Sequence, residues 1–176
     1  MHESVAAERS AAELIIRPAM PRDVQAIHQI VEPYAERGIL LAKELVSFYE
    51  AVQEFYVAES NHKIVGCGAL HVMWEDLAEV RTLAVASHCT GQGIGRRLLR
   101  SLLWRAQELE IPRVFCLTFE VDFFRANGFK ELPGPGVPEP VFGQLLRSHD
   151  DGVAEFLELS RVKANTLGNT RMITYL

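Results

Sequence analysis

Leu83-Ala84-Val85-Ala86-Ser87-His88-Cys89-Thr90-Gly91-Gln92-Gly93-Ile94-Gly95-Arg96-Arg97-Leu98-Leu99 runs from an apolar strand through alternating glycines directly into a basic amphipathic helix. A turn of this kind exposes several backbone N–H groups at a helix N-terminus, where a phosphate or pyrophosphate can sit. Glycine suits those points because a Cβ would hold the anion away from the amides, and because part of the turn needs positive φ. Arg96 and Arg97 then stand one turn from the anion. No Lys-Ser or Lys-Thr follows the last glycine, which excludes a P-loop. A Gly-x-Gly-x-x-Gly fingerprint would put its third glycine where Arg96 stands, which excludes that dinucleotide site. An ordinary glycine-rich strand-to-helix turn remains the competing reading, and the neighbouring segments decide between the two.

The frame for those neighbours is a chain of 176 residues with 48% hydrophobic content, enough for one domain with a full core. Lys plus Arg number 18 against 23 Asp plus Glu, so no basic face for nucleic acid is expected. Arg96, Arg97, Arg100 and Arg105 make a local basic cluster that a phosphate-bearing ligand explains. Cys67, Cys89 and Cys116 have neither metal-ligand spacing nor an even count, so reduced thiols and no metal are expected. No apolar run is long enough to span a bilayer, and residues 1–13 lack the apolar core of a signal peptide. A cytoplasmic protein with no membrane partner is the resulting expectation, with residues 1–13 as a flexible segment and 14–176 as a single domain.

Along the chain, Leu14 to Arg17 reads as a strand, and Pro21 with Asp23 opens a helix whose apolar positions Val24, Ile27, Ile30 and Val31 recur at helical spacing. Tyr34 to Ser47 is irregular or a second helix. Glu54–Glu59 and Ile64–Met73 form a hairpin across Ser60-Asn61-His62-Lys63, and Asp76 to Val85 is the next strand. After the glycine loop come a helix over Ile94–Leu109, a buried strand over Arg113–Thr118 and a helix over Val121–Asn127 that ends at Gly128. Pro133, Gly134, Pro135, Gly136, Pro138 and Pro140 forbid regular structure and mark a connection. Short helices over Val141–Ser148 and Val153–Leu159 and a strand over Arg171–Leu176 complete an α/β fold with a mixed central sheet.

Three segments carry a resemblance to a known family. Thr90-Gly91-Gln92-Gly93-Ile94-Gly95 is similar to the Arg/Gln-x-x-Gly-x-Gly/Ala loop of the GCN5-related N-acetyltransferases, with Thr90 in the usual Arg or Gln position. The strand Ala78 to Val85 and the run Phe123-Phe124-Arg125-Ala126-Asn127-Gly128-Phe129 resemble two further segments of that superfamily. The resemblance implies a mixed, mostly antiparallel sheet flanked by helices, with acetyl-CoA as co-substrate. A narrower likeness covers Gly38–Leu41, Val65–His71, Ala78–Val85, Val114–Thr118 and Leu167–Met172, which look like the short, single-domain bacterial N-acetylglutamate synthases. It implies acetylation of the α-amine of L-glutamate, the first step of arginine biosynthesis, with L-glutamine as a further candidate acceptor. A homodimer is left open as an assembly.

Carried over residue by residue, the resemblance makes Glu79 the general base that deprotonates the acceptor ammonium, directly or through a water. It gives the backbone of Leu83 and Val85 to the pantetheine arm and Thr90, Gly91, Gly93, Gly95 and Arg96 to the pyrophosphate. Phe124 stands where the superfamily usually keeps a Tyr to protonate the leaving thiolate. Strand alternation places Glu79, Arg81, Leu83 and Val85 on one side unless a bulge intervenes. A dicarboxylate acceptor requires cationic or amide partners, for which Arg81, Lys43, Asn169 and Arg171 are candidates, with Lys163 after them. Two other readings compete: acetylation of a different amine, such as a protein N-terminus or an antibiotic, and a non-catalytic acetyl-CoA-binding regulatory subunit.

Overall fold

The computed structural model describes residues 13–158 and 168–176. Residues 1–12, and with them nearly all of the expected flexible segment, lie outside the described residues, as does Lys163. The described residues form one seven-stranded sheet in the order β1-β2-β3-β4-β5-β7-β6. The strands are β1 (Leu14–Pro18), β2 (Phe55–Ser60), β3 (Lys63–Trp74), β4 (Leu77–Val85), β5 (Arg113–Thr118), β6 (Lys130–Glu131) and β7 (Thr170–Tyr175). Only β4 and β5 run parallel; every other neighbouring pair is antiparallel. This is the mixed, mostly antiparallel sheet expected from the sequence.

Helices cover both faces. On one lie α1 (Val24–Glu36), α2 (Leu45–Glu50), α5 (Glu139–Leu145) and α6 (Asp151–Phe156); on the other lie α3 (Ile94–Glu108) and α4 (Val121–Ala126). The α3 stripe Ile94, Leu98, Leu99, Leu102 and Ala106 is buried against the sheet. Each of its leucines contributes roughly 1.5–3 kcal/mol of transfer free energy. The β2–β3 turn has two central residues, Asn61 and His62, both at positive φ, the arrangement whose twist suits a two-residue hairpin. Gly128, at φ +90, closes α4 as its sequence position implied.

Two features of β4 set up the site. Its ladder with β5 spans only Leu77–Glu79 against Arg113–Phe115, after which the two strands part. A bulge also interrupts its pairing with β3: Ala69 faces Arg81 and Cys67 faces Ala84, so three steps on β4 match two on β3. Thr82 absorbs the extra residue at φ +56, a conformation unusual for a β-branched side chain. The unbroken alternation is therefore corrected. Glu79 and Arg81 share a face with Ala84, which packs among the α1-side residues, whereas Leu83 and Val85 pack on the α3 side.

Candidate active site

Where β4 and β5 part, a cleft of about 680 Å³ opens across the sheet toward the start of α3. Leu83, Val85, Thr90, Gly91, Gly93, Gly95, Arg96 and Phe124 all line it. Gly91 and Gly93 both adopt φ +77, and an added Cβ at either would meet nothing within 4 Å. Backbone conformation, not crowding, therefore demands glycine there, and the peptide groups lie bare beside the cleft. Gly93 precedes α3 without a side-chain cap, so the first N–H groups of a 15-residue helix keep their hydrogen-bonding capacity for a ligand. Arg96 faces the cleft, whereas Arg97 donates to the Leu14 carbonyl at 2.8 Å and fastens α3 to β1. Thr90 spends its hydroxyl within the loop, on the Ser87 carbonyl.

Tyr34, at the end of the α1 stripe, donates its hydroxyl to the Val85 carbonyl at 2.6 Å and lines the same cleft. No motif marks Tyr34 in the sequence, although its spacing from Ile27, Ile30 and Val31 continues the buried stripe. Phe124 is buried, meets Phe123 and Phe129 edge-on, and brings no hydroxyl to the cleft.

On the opposite face Glu79 and Arg81 are buried at 3% and 9% exposure. Arg81 donates Nε and Nη2 to Glu79 Oε2, at 2.9 and 2.5 Å. Its Nη1 reaches both carboxylate oxygens of Asp150 at 3.0 Å. Nε–H and one Nη2 N–H thus go to Glu79 and one shared Nη1 N–H goes to Asp150, leaving one N–H on Nη2 and one on Nη1. Asp150 in turn caps α6 by accepting from the Val153 N–H at 2.9 Å. Burial disfavours the Asp150 charge, but Arg81 outweighs it and holds the carboxyl at about 2.

Lys43 lines a small recess together with Glu79, Arg81, Leu117, Gly152 and Glu155. No carboxylate among the described residues comes within ion-pair distance of its ammonium. Burial, and then the nearby Arg81 charge, push its pKa below the ordinary lysine value. Asn169 donates to Glu155 Oε1 at 2.7 Å and so reaches this recess only through Glu155. Arg171 is not brought there. Its Nη1 and Nη2 donate to the Gly134 and Pro135 carbonyls and its guanidinium lies 4.7 Å from the Phe156 ring centre, strapping the proline-glycine connection to β7. Asp150 and Gly152 carry no local signal in the sequence, where they precede the short helix expected from Val153.

Among the described residues no helix is long and apolar enough to cross a membrane, and no three His, Cys, Asp or Glu are grouped to hold a metal ion. Residues 51–131 match the acetyltransferase (GNAT) domain family. The amino-acid acetyltransferase of Mycobacterium tuberculosis is 53% identical over 165 residues, which cover 92% of this chain and 94% of that protein. The crystal structure of Rv2747 from Mycobacterium tuberculosis, in complex with CoA and NLQ, superposes with a TM-score of 0.89 at 53% identity over 92% of this chain and 99% of the other. N-acetylglutamate synthase from Neisseria gonorrhoeae, complexed with coenzyme A and N-acetyl-glutamate, shares the fold at a TM-score of 0.75 and 23% identity, over 94% of this chain and 35% of that one. The chain belongs to the acetyl-CoA-dependent GNAT acetyltransferases.

Proposed function

We propose that this protein transfers acetyl from acetyl-CoA to the α-amine of L-glutamate, which would make it an N-acetylglutamate synthase at the head of arginine biosynthesis. One observation carries this reading: a buried carboxylate, Glu79, fixed by Arg81, shares a recess with an ammonium, Lys43, that no described carboxylate pairs. Such a recess suits an acceptor that brings both an amine and a carboxylate. The likeness to the amino-acid acetyltransferase of Mycobacterium tuberculosis supports the amino-acid class of acceptor.

Acetyl-CoA, when bound, supplies the acetyl group as an activated thioester. The open cleft, the bare loop around Gly91 and Gly93 and the N-terminus of α3 fit its extended, phosphate-bearing shape. Beyond the bulge, β4 has no strand partner on its β5 side, so the Leu83 and Val85 backbone is positioned to pair with the pantetheine arm. Tyr34 holds the Val85 carbonyl and steadies that edge.

In this mechanism Glu79 accepts the proton of the acceptor ammonium through Oε1, since both Arg81 bonds fall on Oε2. Lys43 holds an acceptor carboxylate, and the remaining Nη2 N–H of Arg81 reaches a second. The thiolate leaves without a tyrosine, because Phe124 replaces it; an ordinary thiol pKa of about 8.5 makes that departure feasible near neutrality. Glutamine is the second acceptor to weigh, since it shares the α-carboxylate. A screen of the twenty amino acids with acetyl-CoA, following CoA release, tests the assignment. Glutamate should give the highest kcat/KM, and turnover confined to peptides or polyamines would overturn it.

A further inference from the structure

Asp150 lies 69 residues from Arg81 in sequence, yet both its carboxylate oxygens accept from Arg81 Nη1 at 3.0 Å. Arg81 therefore stands between two carboxylates, Glu79 on its own strand and Asp150 at the head of α6. The arrangement is built with little tolerance. A Cβ on Gly152 would lie 2.5 Å from Arg81 Nη2 and 2.6 Å from Cζ, so the turn after Asp150 closes on the guanidinium only because residue 152 is glycine. Asp150 is itself fixed from two sides, accepting from the Val153 N–H at 2.9 Å while its own N–H donates to the Ser148 hydroxyl at 3.1 Å.

A guanidinium paired with Glu79 alone would orient that carboxylate, but it would also spend its whole charge stabilising it and blunt it as a proton acceptor. A second carboxylate on the far side of the guanidinium divides that charge. We propose that Asp150 is a positioning residue for the reaction: it anchors Arg81 so that Glu79 is held in place by two hydrogen bonds while remaining an effective base. The proposal rests on the reading of Glu79 as the base. It makes α6 part of the catalytic apparatus, although no α6 side chain need touch the acceptor.

Other titratable groups also stand around Glu79. Lys43 approaches from the segment before α2, the buried Cys116 thiol from β5, Glu155 from α6, and His71, paired with Glu54 at 2.9 Å, faces it across the β3–β4 ladder. Burial first and then Glu79 push the Cys116 thiol upward, so it stays protonated through neutral pH. Because His71 stands directly opposite Glu79 in the ladder, a His71→Asn control belongs in the test.

The test follows the Glu79 side-chain carbon by NMR in ¹³C-glutamate-labelled full-length protein without ligand, with Glu79→Gln supplying the resonance assignment. In Asp150→Asn the Glu79 titration midpoint should fall by about one pH unit, because Arg81 is left uncompensated beside it. The acid limb of kcat should move with it, and the plateau should drop roughly three- to tenfold as the base weakens. Gly152→Ala should shift the midpoint the other way, since its methyl forces the guanidinium off Glu79, and it carries the test alone if Asp150→Asn does not fold. His71→Asn should leave the midpoint in place. An unmoved midpoint in Asp150→Asn, or one that follows His71 instead, overturns the proposal. Near wild-type kcat in Glu79→Gln would sink the base reading instead, while the NMR midpoints still report whether Asp150 governs Glu79.

Discussion

Replacing Lys43 by methionine should make the protein more stable and a poorer enzyme at once. The Lys43 ammonium is half-buried, has no ion-pair partner among the described residues, and has its pKa pushed down by burial and by Arg81. A positively charged group whose folded pKa lies below its unfolded value opposes folding. That opposition is present in full below the folded pKa and disappears as pH rises from there to the unfolded value. Methionine keeps the length of the side chain and removes the charge. Because the site is only half-buried, a gain of about 1 kcal/mol is the reasonable scale, equivalent to roughly 2–4 °C in Tm for a chain of this size. The same change deprives an acceptor carboxylate of a charge-assisted hydrogen bond, worth roughly 1.5–3 kcal/mol, or about one to two decades in glutamate KM. The KM for acetyl-CoA should change little, since Lys43 does not line the cleft proposed for acetyl-CoA. Scanning calorimetry and steady-state kinetics on one preparation give both numbers. A Tm that falls while the glutamate KM stays at the wild-type value would refute the assignment of Lys43 as a carboxylate site.

Glu79→Gln should lower kcat by about 10²- to 10⁴-fold at neutral pH with acetyl-CoA affinity nearly unchanged, as pH-dependent kinetics and calorimetry would show. Gly93→Val should weaken acetyl-CoA binding at least tenfold in calorimetry with circular dichroism preserved, because a branched side chain at φ +77 is strained and stands beside the anion cradle. Asp150, held at about 2 against an ordinary 3.8, stabilises the fold above the ordinary value and loses that contribution as pH falls through about 2. Urea titrations should therefore show wild type more stable than Asp150→Asn at pH 6, with the difference closing on acidification.

The two halves of the site differed in how far the sequence revealed them. Everything along the cleft from Leu83 to Arg96 is contiguous, so strand, turn and helix signals in one short window were enough to place those residues together. The bulge was not legible, because Thr82 is β-branched and nothing local favours its positive φ; tertiary pairing with Cys67 and Ala69 imposes it. The recess proposed for the acceptor is lined by Lys43, Glu79 and Arg81, with Asp150 behind Arg81, and only the folded sheet brings these residues within reach. The sequence marks Arg81 as a cation for the substrate but does not show its internal partner Asp150, which lies 69 residues away. Arg171 reads the same way, and its two carbonyl partners in a proline-glycine run carry no side-chain signal at all. Asn169, a candidate carboxylate partner from its segment alone, reaches the recess through Glu155.

The parting of β4 from β5 has a thermodynamic meaning as well as a chemical one. A sheet interrupted in its interior leaves main-chain donors and acceptors without a strand partner, and a ligand lying between the strands would complete a ladder the polypeptide leaves unfinished. Since the unfolded chain has no such gap, acetyl-CoA bound there would add directly to the unfolding free energy, by about 2.7 kcal/mol at a hundredfold excess over its Kd. Resistance to heat and proteolysis then becomes a function of acetyl-CoA concentration, so the lifetime of the protein is tied to the supply of the metabolite it consumes.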